Sequence, residues 1–188
     1  FITACLAASA HGDEILDMID EATAFYKEGN YSEAQISFNQ VAQAVGEAAA
    51  AKLGEYLPEA PDGWSMEEPD IQSVGASMFG GGNSAATTYS KGEASIRVTI
   101  AANSPALQSM LMLINNPMYL NASGQKMERI NGQKALVNFA ESETDGSINV
   151  VVGGTSLVTA EAEGASVDQV KALLESMDFK ALLAYLMQ

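Results

Sequence analysis

Side chains able to do chemistry are few in this sequence. Its single histidine, His11, and its single cysteine, Cys5, both lie within the first eleven residues. Histidine-assisted nucleophilic catalysis needs an imidazole held within hydrogen-bond reach of its nucleophile. His11 follows an uncharged, mostly apolar run from Phe1 to Ala10, which offers no rigid frame for such an assembly. Cys5 has no second cysteine to pair with and no basic neighbour to lower its pKa, so thiolate chemistry is not expected. Nine methionines could suit copper(I), which takes thioether ligands. Met110 and Met112, however, stand two apart on an expected helix, so they point about 200° from each other and cannot share an ion. With Leu111, Leu113 and Ile114 they read as a helix buried all round. Met118, in the loop after Asn115-Asn116-Pro117, reads as a cover for the core edge. The run Met78-Phe79-Gly80-Gly81-Gly82-Asn83 lacks the Gly-Lys-Ser/Thr ending of a phosphate loop and is expected between strands. It reads as a bent connection, or as a lip over an apolar pocket.

Carboxylates are the remaining candidates. Glu141, Glu143 and Asp145 occupy alternate positions in Glu141-Ser142-Glu143-Thr144-Asp145-Gly146-Ser147-Ile148. Oxygen donors at positions one, three and five, with Gly at six and Ile at eight, resemble the front half of an EF-hand calcium loop. Two departures weaken a metal role: the first ligands are Glu, and position twelve is Val152 where a bidentate Glu belongs. A hairpin turn with acidic neighbours explains the same residues, and these three stay as the calcium candidates. Asp13, Asp17, Asp20 and Glu21 share one side of an expected helix, which reads as a solvated face. No spacing nominates the carboxylate pair of a glycosidase. The expectation is a protein that is not an enzyme and holds no cofactor.

The chain has 188 residues, of which 47% are hydrophobic. That is ample for a core, and it excludes disorder over the whole length. With 24 acidic and 9 basic side chains, the net charge is −15. Such a surface repels phosphate, so neither nucleic acid nor anionic lipid is an expected partner. The charge is uneven: residues 13–70 carry 14 acids and 2 bases, against 10 and 7 in residues 71–188. No apolar run has the length of a transmembrane segment. The stretch before His11 ends in Ala8-Ser9-Ala10, which resembles the tail of a secretory signal peptide. Ile2-Thr3-Ala4-Cys5 resembles a bacterial lipobox, which would make Cys5 a lipid anchor. The first turn of a helix is the third reading of residues 1–12. Export to the periplasm or cell surface is the expectation.

Helical periodicity over Ile15, Leu16, Met18, Ile19, Ala22, Phe25 and Tyr26 predicts a first helix, stopped by Gly29-Asn30. Ser32 and Gln35 suggest a capping box opening a second, which carries Ile36, Phe38, Val41, Val45 and Leu53 to about Gly54. Residues 13–57 thus form an acidic helical hairpin. A sheet domain is expected over residues 62–188. Strands are expected at 64–67, 85–89, 95–101, 127–130, 134–139, 148–152 and 156–161, and Asn131-Gly132, Asp145-Gly146 and Gly153-Gly154 favour tight hairpins between the last four. Ser104-Pro105 and the Ser166/Gln169 pair start two helices, and a last one follows Phe179. The fold class is therefore α+β: a helical hairpin, then an antiparallel meander of six or seven strands covered by helices.

Two resemblances accompany this reading. Gly29, Tyr31, Ala34 and Phe38 fall where a tetratricopeptide repeat places Gly, Tyr, Ala and an aromatic. The likeness covers about residues 13–45, a single copy, and implies a helical hairpin. Pro61-Asp62-Gly63-Trp64, entering the first strand, is similar to the PsbP-like α/β sandwich. Scarce catalytic groups, an apolar N-terminus, an Ala-rich stretch at Ala48–Ala51 and a Met-rich helix together suggest a binding, adaptor or assembly protein. A protein partner or self-association is expected. The alternative is a carrier of a small apolar ligand between the sheet and the 105–115 helix, lidded by Gly80 to Gly82.

Overall fold

The computed structural model describes residues 4–74, 82–102, 104–114, 125–139 and 144–187. Two compact units divide the chain, Phe1–Ala48 and Ala49–Gln188. Among the described residues, no helix is long and apolar enough to cross a membrane.

The first unit is built from helix α1 (Ala4–Lys27) and the larger part of α2 (Tyr31–Gly54). Gly29 stops α1 because it takes a left-handed φ of +81°, which a side chain would resist. The stop is a complete Schellman turn: Asn30 N–H donates to Phe25 O at 3.0 Å and Gly29 N–H to Tyr26 O at 3.2 Å. The Asn30 carbonyl then accepts from Ala34 N–H at 3.0 Å. Asn30, not Ser32, therefore caps α2, and Ser32 lies inside its first turn. Ala22 and Ala34 are buried beside this turn.

The second unit is an eight-stranded antiparallel sheet with helices on it. Its strands are β1 (Ser65–Met66), β2 (Asp70–Val74), β3 (Gly82–Lys91), β4 (Ala94–Ala102), β5 (Lys126–Ile130), β6 (Gln133–Phe139), β7 (Gly146–Val152) and β8 (Ser156–Glu163). The spatial order is β1-β3-β4-β8-β7-β6-β5, with β2 also on β3. Two runs of hairpins are thus joined by one ladder, β4 with β8, from Ser95↔Glu163 to Ala102↔Ser156. The unexpected strand is β2. Its sequence Asp-Ile-Gln-Ser-Val has only two apolar residues, and it forms because β3 extends back to Gly82 and offers it an edge.

Inward residues alternate along each strand. Tyr89, Ile96, Val98, Ile100, Ile148, Val150, Val158 and Ala160 form one buried face. Leu53 and Leu57 cover it together with helices α4 (Val167–Glu175) and α5 (Phe179–Leu186), through Val170, Leu173, Leu174, Phe179 and Leu182. The expected capping box of α4 is present in both directions: Ser166 N–H donates to Gln169 Oε1 at 2.8 Å and Gln169 N–H to Ser166 Oγ at 3.3 Å. Asp178 caps α5 by accepting from Lys180 and Ala181 N–H. Tyr185 stacks on Tyr56 with ring centres 5.6 Å apart, and its hydroxyl donates to Ala49 O at 3.2 Å.

On the other face lies α3 (Pro105–Ile114), capped by Ser104 Oγ accepting from Ala106 N–H at 3.2 Å. Leu107 and Ile114 are buried against Val151 and Leu157, with Met110 and Leu111 packed beside them. The helix is not buried all round, because positions 107, 110, 111 and 114 make one stripe. Met112 and Leu113 fall off that stripe and are exposed.

Turn chemistry fixes the registers. Asn131 and Gly132 (φ 47° and 80°) take the left-handed pair of a two-residue type I′ hairpin, and Gly153 and Gly154 (φ 61° and 76°) take the left-handed positions of the three-residue loop closed by Val152↔Ser156. Asn131 also donates its side-chain amide to Glu175 O and Met177 O, tying the β5–β6 turn to the end of α4. Asp145-Gly146 is not such a turn. Gly146 pairs with Phe139 inside the ladder, and a Cβ there would collide with Asn138 O and Phe139.

A Cβ on Gly153 would strike Leu183 of α5, whereas one on Gly154 meets nothing. Both sites need φ > 0, so Gly154→Ala should cost about 1–2 kcal/mol from backbone strain alone. Gly153→Ala should cost about 0.5–1.5 kcal/mol more, since the Leu183 side chain must turn aside; urea unfolding of the two variants reads the difference.

Tyr89 is wholly buried, and its hydroxyl donates to Pro58 O at 2.5 Å. Burial pushes this phenol well above its ordinary value. The unfolded chain therefore releases the proton first, near pH 10. The contribution of Tyr89 is intact below that pH and is lost as pH rises above it, by up to about 1.4 kcal/mol per pH unit. Tyr89→Phe should flatten this part of the fall in the urea midpoint between pH 9.5 and 11.5.

Candidate functional site

The residues singled out for chemistry are not assembled. Glu141, Glu143, Met78, Phe79, Gly80, Gly81 and Met118 lie outside the described residues. Asp145 is described and is already engaged, its Oδ1 accepting from Gly164 N–H at 2.8 Å. This bond ties the start of β7 to the end of β8. Gly82 is the first residue of β3, paired with Val74, so it belongs to a ladder and not to a loop lip. Met110 packs on the sheet beside Leu107, and Met112 is 76% exposed. Among the described residues, no group of three or more His, Cys, Asp or Glu could hold a metal ion. A cleft of about 400 Å³ is lined by Glu59, Ala60, Pro61, Ala172 and Ser176. The Ser176 hydroxyl there donates to Leu173 O at 2.7 Å, which makes it a cap on the last turn of α4.

The first unit presents a different kind of surface. On α2, Tyr31, Phe38 and Val45 recur every seven residues and are 66%, 43% and 48% exposed. Seven residues is close to two turns, so these side chains form one row, with its members about 10.5 Å apart. Between them stand Ala34, buried, and Val41, half-buried. The set 31, 34, 38, 41, 45 thus has the alternating three-and-four spacing of a helix seam. One half of the seam is taken up within the unit and the other half faces solvent. Tyr26 extends the exposed row across the turn by an edge contact with Tyr31, ring centres 5.7 Å apart at 63°. Leu16 on α1 and Ile36 on α2 are also exposed. Single exposed apolar residues are ordinary on protein surfaces. A row of them at helical spacing is the mark of a surface that packs against something.

The charge of this unit is one-sided. Residues 1–48 hold eight acidic side chains and one basic, Lys27, a net charge of −7. Asp17, Asp20, Glu21, Glu28 and Glu33 are exposed. Among the described residues, ion pairs join Lys52 to Glu55, Arg97 to Asp70 and Lys171 to Glu128, all beyond this unit.

Periodicity groups Ile36, Phe38, Val41, Val45 and Leu53 as the apolar residues of α2 without separating a buried row from an exposed one. The signal that separates them is the seven-residue interval: a helix packed in one seam buries Ala34 and Val41, and it leaves the next row over uncovered. Compared with protein-family models, curated proteins and solved structures, the chain matches none of them.

Asp145 separates a structural role from a metal-binding one. As a turn clamp, it should lose about 1 kcal/mol on change to Ala, by the same amount in millimolar calcium and in chelator. A loss confined to the calcium condition would make Asp145 a calcium ligand instead. Thermal unfolding of both proteins in both buffers decides it.

Proposed function

We propose that this protein is a non-enzymatic binding or assembly factor that contacts its partner through the exposed row Tyr31, Phe38 and Val45 of its N-terminal hairpin. The observation that carries the reading is the half-filled seam of α2. A helix gains from burying such a row, and aromatic side chains on it supply large contact area at small entropic cost. The tetratricopeptide likeness of Gly29, Tyr31, Ala34 and Phe38 supports the same reading. In that architecture each helical pair leaves an apolar face for the next unit to cover. The uncharged, apolar stretch before His11 supports a place of action outside the cytoplasm, at the periplasm or cell surface. The carrier alternative draws on α3, whose sheet-facing side chains Leu107 and Ile114 are already packed against Val151 and Leu157.

Sedimentation of the protein in extracts of its native host tests the reading. The wild type should travel in a complex larger than the 19.7 kDa chain. Phe38→Gln with Val45→Gln should return it to the monomer position while lowering its melting temperature by only a few degrees, since close to half of each residue is already exposed. A monomer in the wild type, or a complex indifferent to the two substitutions, contradicts it.

A further inference from the structure

We infer that Asn131 is a modification site gated by the fold: its side-chain amide is lost to attack by the Gly132 nitrogen when the β5–β6 turn opens, and the closed turn blocks that reaction. This chemistry is independent of the α2 row.

Asn131 is the one asparagine in the chain that precedes a glycine. With no Cβ on the following residue, the backbone nitrogen meets the least hindrance in reaching the side-chain carbonyl carbon. The Gly132 N–H gives its proton to hydroxide, and the nitrogen bonds to Cγ of Asn131. The bond from Cγ to Nδ2 breaks, and ammonia leaves with a proton from water, which closes a five-membered succinimide. Water then opens that ring at either carbonyl and gives aspartate or isoaspartate. The only co-reactant is solvent, and both residues are exposed to it.

The closed turn holds the reacting atoms apart in two ways. Asn131 and Gly132 are the two central residues of the hairpin closed by Ile130↔Gln133, with φ of 47° and 80°. The first central position of a type I′ turn has ψ near about +30°, which sets the Asn131 Cβ nearly opposite the Gly132 nitrogen. Ring closure needs those two atoms on the same side of the Cα–C bond, and ψ cannot turn so far while the two-residue loop is closed. The second hold is on the leaving group. Nδ2 donates to Glu175 O at 2.8 Å and to Met177 O at 3.1 Å, so the amide is anchored at the end of α4.

Neither product fits back into the turn. Aspartate brings a carboxylate against two carbonyl oxygens at a helix C-terminus, where the backbone already carries negative partial charge. Isoaspartate adds a carbon to the main chain, which a two-residue turn has no place for. The reaction therefore turns a reversible local opening into a permanent one, and the tie between the β5–β6 turn and α4 is lost.

The test is the rate of amide loss at Asn131 in the full chain, read by peptide mapping with mass spectrometry in mildly alkaline buffer. In urea above the unfolding midpoint the loss should be at least tenfold faster than in the folded protein. Below the midpoint it should rise with urea, since the reaction draws on the open fraction. Equal rates with and without urea would overturn the inference, as would faster loss in the folded protein or no loss at Asn131 in the unfolded chain. Reacted molecules, refolded and separated from the rest, should unfold at lower urea than unreacted ones; an unchanged midpoint would overturn the permanence of the change. Two variants check the product. Asn131→Gly keeps the left-handed turn without an amide, and Asn131→Asp matches one product. Asn131→Asp should have the lower urea midpoint at neutral pH, because it alone sets a charge against Glu175 O and Met177 O. The reverse order would overturn this account of why the turn does not close again.

Discussion

The ladder between β4 and β8 is the constraint on which the sheet unit depends. Strand β4 ends at Ala102 and β8 begins at Ser156, yet eight residue pairs run between them. Without that ladder the unit is two separate groups, β1–β4 and β5–β8, each with an open edge. With it, Ile96, Val98 and Ile100 join Val158, Ala160, Ile148 and Val150 in one apolar face wide enough for Leu53, Leu57, α4 and α5 to cover. Such a pairing is costly to start, because the loop between the strands must be closed before any contact repays the entropy. The local hairpins, fixed by Asn131-Gly132 and Gly153-Gly154, reduce that search by presetting the register on the β8 side.

Much of this was legible beforehand because it is written locally. The alternation in Ser95 to Ala101, the hairpin dipeptides, the Ser166/Gln169 capping box and the Ser104-Pro105 start each depend on a few neighbouring residues. What failed depends on tertiary context. Strand β2 has no pattern of its own and exists by pairing with β3. Asp145-Gly146 looks like a hairpin dipeptide, but Gly146 is required by the crowding of Asn138 and Phe139 against it. Ser32 has the residues of a capping box, yet the Schellman turn at Gly29 hands the start of α2 to Asn30 first. Met112 and Leu113 are apolar and exposed because a helix on one sheet face buries a single stripe.

The candidate surface was hidden for a related reason. An apolar residue at helical spacing is normally read as core, and Phe38 and Val45 satisfy that test. Only the structure shows that Ala34 and Val41 are turned inward while the row beside them is uncovered. Asp145, the described one of the three calcium candidates, works as a clamp between β7 and β8. The first unit thus exposes an apolar row on α2 and carries a net charge of −7.

The most direct measurement is site-specific photocrosslinking in the native host, with a photoreactive residue at position 38 and, as control, at position 40. Both positions are exposed on α2, but they lie about 200° apart around the helix. A discrete protein adduct from position 38 and none from position 40 is the result this account predicts. No adduct from position 38, or the same adducts from both, would contradict it.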